Sequence, residues 1–301
     1  MSAVTVKVPA KVNLSLGVGT ARTDGYHPLA TVYQAIGLYD TVTVRAAEEW
    51  SVQVRGDERL SIAQVPTDRS NIAVRAAELL AAHHGVDAAL QITIDKGIPV
   101  AGGMAGGSAD AAAVLVGCDV LWGTRTRRKD LLAIAADLGS DVPFALLGGT
   151  AIGSGRGEVV TPVMTRGEYW WVVLESRDGL STPAVYAEFD ALHARDPVAD
   201  PEIPDALLHA LRSHDIKGLG RALSNDLQEP AFRLRPELRQ ALADGLENSA
   251  HGAIVSGSGP SCLFLCEGRA HAVQVGGALK SYGLGPVSFA PGPVPGARVI
   301  R

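Results

Sequence analysis

One stretch of the chain has the residue types to hold a phosphate. It reads Pro99-Val100-Ala101-Gly102-Gly103-Met104-Ala105-Gly106-Gly107-Ser108-Ala109-Asp110-Ala111-Ala112. Four glycines within six residues, directly ahead of an alanine-rich helix, remove the side chains that would keep a ligand away from the backbone. The amides of such a loop and of the helix N-terminus together bind anions, phosphate above all. Ser108 can cap the helix or offer its hydroxyl to a phosphate or a metal ion. The lysine-bearing phosphate loop is excluded, because Gly107 stands where Lys must precede Ser108. The dinucleotide fingerprint is excluded too, since no acidic residue closes the following strand. A plain flexible turn is the alternative. The length of the loop and its strand–loop–helix setting favour phosphate.

Such a loop needs a strand to deliver it and a helix to receive it. Leu90-Gln91-Ile92-Thr93-Ile94 alternates as a strand, and the alanine-rich run predicts a helix over 108–122. Upstream, Val4, Val6 and Val8 alternate with polar residues, and Val12, Leu14 and Leu16 keep the same period. Residues 41–44 and 52–54 repeat it. A helical period covers 70–84, with Ser70 placed as its cap. Helices are predicted at 128–138 and after Pro143. Tyr169 to Leu174 opens a second unit. Residues 193–204 read as a proline-rich surface loop. Helices follow near 205–213, 215–224 and 236–246, then two strands around a second glycine cluster, a helix at 268–281 and a strand near 286–290. Strands and helices in that order predict an α+β chain of two domains, residues 1–160 and 161–301.

Composition narrows the function classes. With 27 Lys and Arg against 32 Asp and Glu, the net charge is −5, and no basic stripe exists for nucleic acid. Any bound anion must therefore be held by local geometry. Cys118, Cys262 and Cys266 form neither a disulfide framework nor a zinc motif, and read as reduced packing residues. The first residues lack the layout of a signal peptide, and the longest apolar run, 98–118, holds five glycines and Asp110. The expectation is a cytoplasmic protein without membrane contact.

Two further segments complete a pattern. Pro9-Ala10-Lys11-Val12-Asn13-Leu14 opens the chain, and Ser256-Gly257-Ser258-Gly259-Pro260-Ser261-Cys262 lies near its end. With the central glycine loop, these resemble, in order and spacing, the three motifs of the galactokinase–homoserine kinase–mevalonate kinase (GHMP) superfamily. Arg22-Thr23-Asp24-Gly25-Tyr26-His27-Pro28-Leu29 is similar to a string found in the branch that phosphorylates a cytidylyl-methylerythritol. Gly139-Ser140-Asp141-Val142-Pro143 and Ser181-Thr182-Pro183-Ala184-Val185-Tyr186 resemble two more of its segments. The chain departs from the pattern at Met104 and at Ala109-Asp110. Asp110 adds a negative charge one turn into the phosphate-binding helix.

The resemblance implies a ribosomal-protein-like N-terminal domain, a ferredoxin-like C-terminal domain, and transfer of the ATP γ-phosphate to a substrate hydroxyl. It makes Asp141 the general base, a role a carboxylate in hydrogen-bond reach of the hydroxyl can fill. Asp141 also sits where a helix cap belongs. Lys11 is the cation that keeps Asp141 ionised and polarises the hydroxyl. Asn13 shares its strand face and can bond substrate. Tyr26 and His27 are implied as the cytosine site, Tyr186 as the second aromatic, and Thr182 as a contact to the polyol. Asn71, Ile72 and Lys96 match positions bordering adenine, and Pro99 to Ala109 the ATP phosphates. Magnesium is expected to arrive with ATP, because no carboxylate cluster is evident. The rivals are a superfamily kinase acting on homoserine, mevalonate or a sugar, an RNA-binding module, and a sensor without turnover. Tyr26-His27, the charge of −5, and the intact Lys11 and Asp141 argue against them in turn. Monomer and dimer both stay open.

Overall fold

The computed structural model describes residues 3–57, 60–87, 89–176, 178–195 and 198–300. The chain opens with β1 (Ala3–Val18), β2 (Leu29–Ala47) and β3 (Ser51–Gly56), then α1 (Ile72–His84) and β4 (Ala89–Lys96). Next come α2 (Gly106–Trp122), α3 (Arg128–Leu138), α4 (Val142–Leu147) and the hairpin β5 (Thr150–Ser154) and β6 (Val159–Pro162). The remainder runs β7 (Tyr169–Leu174), α5 (Thr182–Leu192), α6 (Asp205–Ser213), α7 (Ile216–Ala222), β8 (Ser224–Asn225), α8 (Gln228–Leu234) and α9 (Glu237–Glu247). It ends on β9 (Gly252–Val255), β10 (Cys262–Cys266), α10 (Arg269–Ser281), β11 (Val287–Gly292) and β12 (Arg298–Val299).

The first sheet has the order β12–β1–β2–β4–β3, with β5 also on β2 and β8 also on β1. Its strands pair antiparallel except β3 with β4 and β1 with β8. The two runs of alternation seen between residues 4 and 16 are one strand, because β1 is central and buried on both faces beyond Val8. Two register shifts interrupt the β1–β2 ladder, one at Pro9/Ala10 and one between Asn13 and Ser15. They bracket Lys11 and Asn13 and re-aim both side chains, as bulges do beside sites. α2 covers this sheet. A Cβ on Gly117 would lie 2.8 Å from Val44 Cγ2, so glycine is what lets the helix settle onto β1 and β2.

The second sheet is antiparallel with the order β11–β7–β10–β9, a ferredoxin-like arrangement. Its residues alternate between two cores. Trp171, Val173, Leu263 and Leu265 join the core of the first sheet, while Val172, Phe264 and Cys266 pack with Val275 and Leu279 of α10. A division near residue 160 falls in β6, and β8 and β12 return to pair with β1.

Three local readings change. The cap of α1 is Asn71, whose side chain accepts from Ala73 N at 2.9 Å, while Ser70 is taken up by Asp68. α2 starts at Gly106, so Ser108 lies inside its first turn and does not cap it. α5, α8 and the β5–β6 hairpin lie in stretches too short or too mixed to show a period. In the proline-rich 193–204 segment, Asp196 and Pro197 lie outside the described residues. All three cysteines are buried and free, as expected. Among the described residues no helix is long and apolar enough to cross a membrane.

Candidate active site

Lys11 is only 8 % exposed, so its ammonium must be partnered. Nζ donates to Asn13 Oδ1 at 2.7 Å and stands 3.8 Å from Asp141 Oδ2. Asn13 Nδ2 in turn donates to Thr31 Oγ1 at 2.8 Å, and Thr31 donates to Ser15 O at 2.6 Å. This chain locks the amide so that its oxygen faces Lys11. Asp141 precedes α4 but makes no side-chain capping bond, which leaves its carboxylate turned to Lys11. Behind the pair lies Tyr33, opposite Asn13 in the ladder and 2 % exposed. Burial, then the charge and hydrogen bond of Asp141, push its phenol well above the ordinary value. Tyr33 is thus neutral, and its hydroxyl donates to Gly157 O at 3.5 Å. No sequence pattern marked it.

The two glycine loops meet at this point. A Cβ on Gly103 would lie 2.2 Å from Ser256 O, and one on Gly102 2.8 Å from Ser261 Oγ. Ser256 Oγ donates to Gly103 O at 3.1 Å, and a Gly257 Cβ would reach Lys11 Nζ at 3.3 Å. Gly257 to Ser261 therefore connects β9 to β10 and also docks on the first loop. The amides of Gly106, Gly107 and Ser108 precede the first helical bond of α2, Ala109 N to Ala105 O at 2.9 Å, and are free for an anion.

Beneath the loop lies a buried ionic group. Lys96 Nζ donates to Asp40 at 2.5 Å and to Asp110 at 2.8 Å. Asp40 also accepts from Gly97 N and Ile98 N at 2.7 and 2.9 Å, whereas Asp110 Oδ1 has no partner. Burial, outweighing the pull of Lys96 and aided by Asp40, raises the Asp110 carboxyl well above the carboxylate range. Burial alone would lower Lys96, but the two carboxylates reverse that and raise it. So Asp110 faces Lys96 and not the phosphate site, and its burial raises its affinity for a proton.

A cleft of about 760 Å³ opens over these elements. Lys11, Asn13, Asp141, Tyr26, His27, Thr182 and Tyr186 line it, as do Pro99, Ala101, Gly102, Gly103, Ala105, Gly106 and Gly107. Val100, Met104, Ser108 and Ala109 do not, and Met104 and Ala109 are core residues. Asn71 and Lys96 also stand outside, their polar ends committed to the α1 cap and to the two aspartates. On the aromatic wall, the His27 ring lies 4.8 Å from Tyr186, and His27 Nε2 bonds Asp190 at 2.8 Å. Tyr26 is instead covered by Arg156, 4.7 Å from its ring centroid. Among the described residues no ring contact joins Tyr26 to Tyr186. Thr182 Oγ1 and Ser258 Oγ, 2.8 Å apart, tie α5 to the second loop. Asp190 and Arg156, like Tyr33, were missed, because single charged residues on a helix and a turn carry no motif.

Comparison with known proteins agrees with this geometry. Residues 71–149 match the GHMP kinases N terminal domain and residues 207–284 the GHMP kinases C terminal. The 4-diphosphocytidyl-2-C-methyl-D-erythritol kinase of Nocardioides sp. is 56 % identical over 295 residues, 98 % of this chain and 99 % of the relative. The chain belongs to the 4-diphosphocytidyl-2-C-methyl-D-erythritol kinase family. The enzyme of that name from Nocardia farcinica is 51 % identical, covering 99 % of this chain and 97 % of its own. A crystal structure of 4-(cytidine 5'-diphospho)-2C-methyl-D-erythritol kinase superposes with a TM-score of 0.77 at 33 % identity, over 95 % and 98 % of the two chains. The homoserine kinase of Cytophaga hutchinsonii gives 0.74 at 18 % identity, over 100 % and 98 %, and shares the fold. Membership of this kinase family makes the chain an ATP-dependent small-molecule kinase.

Proposed function

We propose that the chain transfers the γ-phosphate of ATP to the 2-hydroxyl of 4-diphosphocytidyl-2-C-methyl-D-erythritol, a step in the non-mevalonate route to isoprenoid precursors. The observation that carries this reading is the Lys11–Asp141 pair, set where the two glycine loops meet and facing a wall built by Tyr26, His27 and Tyr186. Asp141 takes the proton of the attacking hydroxyl. Lys11 aims the carboxylate, and Asn13 holds Lys11. The amides of Gly106, Gly107 and Ser108 take phosphate oxygens, which supports charge build-up in the transition state. The aromatic wall receives the cytosine, with His27 oriented by Asp190, and Thr182 meets the polyol.

The carboxylate in the cleft nearest the transfer point is already beside Lys11, and the chain offers a hydroxyl at Ser108. That donor set fits a hard cation carried in on the nucleotide better than a resident one. Magnesium bound there would neutralise the phosphoryl oxygens. We place the reaction in the cytoplasm, where ATP and such a nucleotide-linked substrate are found.

An ADP-release assay against the cytidylated substrate, homoserine, mevalonate and galactose tests the reading. Turnover confined to the cytidylated acceptor is expected. Comparable turnover of mevalonate or homoserine contradicts the substrate while leaving the kinase.

A further inference from the structure

The cleft holds one cation that the transfer chemistry leaves unused. Arg156 sits in the turn between β5 and β6 and lines the cavity. Its backbone N donates to Glu158 Oε2 at 2.6 Å, and its Nε stands 3.8 Å from Glu158 Oε1. The guanidinium also stands over the Tyr26 ring. Among the described residues no hydrogen bond occupies either Nη group.

The position is informative. On one side Arg156 covers Tyr26. On the other, the next residue, Gly157, offers its carbonyl to Tyr33 Oη at 3.5 Å, and Tyr33 reaches Asp141. Arg156 thus stands on the Tyr26 side of the cleft, one residue from the carbonyl that Tyr33 meets. In a cytidine diphosphate linked to a polyol, the group between the base and the reacting alcohol is the diphosphate, with two negative charges. The protein's net charge of −5 gives no general attraction for it. The other ammonium or guanidinium lining the cleft, Lys11, is held by Asn13 and Asp141.

We propose that Arg156 is a specificity-determining residue whose two Nη groups grip the diphosphate bridge of the substrate. A planar fork suits two adjacent phosphoryl oxygens. The inference rests on the function proposed above and adds the subsite that separates a nucleoside diphosphate from a bare nucleoside. With its side chain 31 % exposed on a turn, Arg156 can be replaced without disturbing a core.

Calorimetry on the full chain with cytidine, CDP and ATP tests it, using the wild type, Arg156→Met and Arg156→Lys, with melting temperatures as the folding control. Charged hydrogen bonds at a partly exposed site predict a CDP Kd weakened about tenfold in Arg156→Met. Cytidine and ATP should be unaffected, and Arg156→Lys should fall between. The KM for the cytidylated substrate should rise by a similar factor with kcat nearly constant. Unchanged CDP affinity in Arg156→Met overturns the subsite. So does an equal loss for cytidine and CDP, which would make Arg156 a support for Tyr26 alone, and so does a loss confined to ATP. A wild type that binds neither cytidine nor CDP overturns the proposed function itself, and the subsite with it.

Discussion

Lys96 and Asp110 meet at 2.8 Å under the glycine loop, and Lys96 Nζ lies 3.2 Å from where a Gly106 Cβ would be. The pair shapes the loop from below, and Asp40 accepts a second hydrogen bond from the ammonium. Of the two carboxyls, Asp110 has the unpartnered oxygen and the raised affinity for a proton.

The raised proton affinity of Asp110 has a thermodynamic signature. Its folded-state affinity for a proton exceeds the unfolded one. Its stabilising contribution is therefore full below the unfolded value, about 4, and is lost as pH rises through the folded value. Asp110→Asn mimics the protonated form and should change stability at pH 5 by less than about 1 kcal/mol, flattening the decline at higher pH. Urea unfolding at stepped pH reads this. A loss of about 3–5 kcal/mol at every pH would mean that the wild type buries an ionised Asp110.

The two central glycines of the loop should respond differently. A Cβ at Gly106 points at Lys96 and Ile98, whereas one at Gly107 meets only Ile72 Cγ2 at 3.7 Å beside the cleft. Gly106→Val should lower the melting temperature. Gly107→Val should keep it and weaken ATP binding at least tenfold by calorimetry. Normal ATP affinity in a folded Gly107→Val protein would make the loop structural only.

His27 owes its orientation to Asp190 at 2.8 Å. Asp190→Ala should raise the KM for the cytidylated substrate several-fold and leave kcat and the ATP KM near normal. Steady-state kinetics with each substrate varied in turn decides it. A fall in kcat alone would place Asp190 in the transfer step.

The fold and the frame of the site were legible because they are written in local patterns. Alternation marked β1 and β4, the run Tyr169 to Leu174 marked β7, and glycine clusters marked both loops. The motif-borne residues Lys11, Asp141, Tyr26 and His27 do line one cleft. What escaped depends on partners far apart in the chain. Asp110 read as a charge for the phosphate site, since the sequence does not place it against Lys96 across the base of the loop. Lys96 and Asn71 read as nucleotide contacts, since nothing local shows that Asp40 and the amide of Ala73 claim them. Tyr33 carried no signal, because its importance comes from a register shift that sets it opposite Asn13.

The central claim is that Asp141 accepts the proton while Lys11 holds it ready. Single-turnover transfer from ATP to the cytidylated substrate tests this in the wild type, Asp141→Asn, Lys11→Met and the double variant. Asparagine keeps the shape, and Asp141 makes no capping bond whose loss could confuse the result. The rate should fall by about 10²–10⁴ in Asp141→Asn with both ligand affinities nearly intact. Lys11→Met should also slow transfer, and the double variant should lose less than the sum of the two, because the groups stand 3.8 Å apart and act together. An Asp141→Asn protein that transfers phosphate at a near-normal rate would contradict the account.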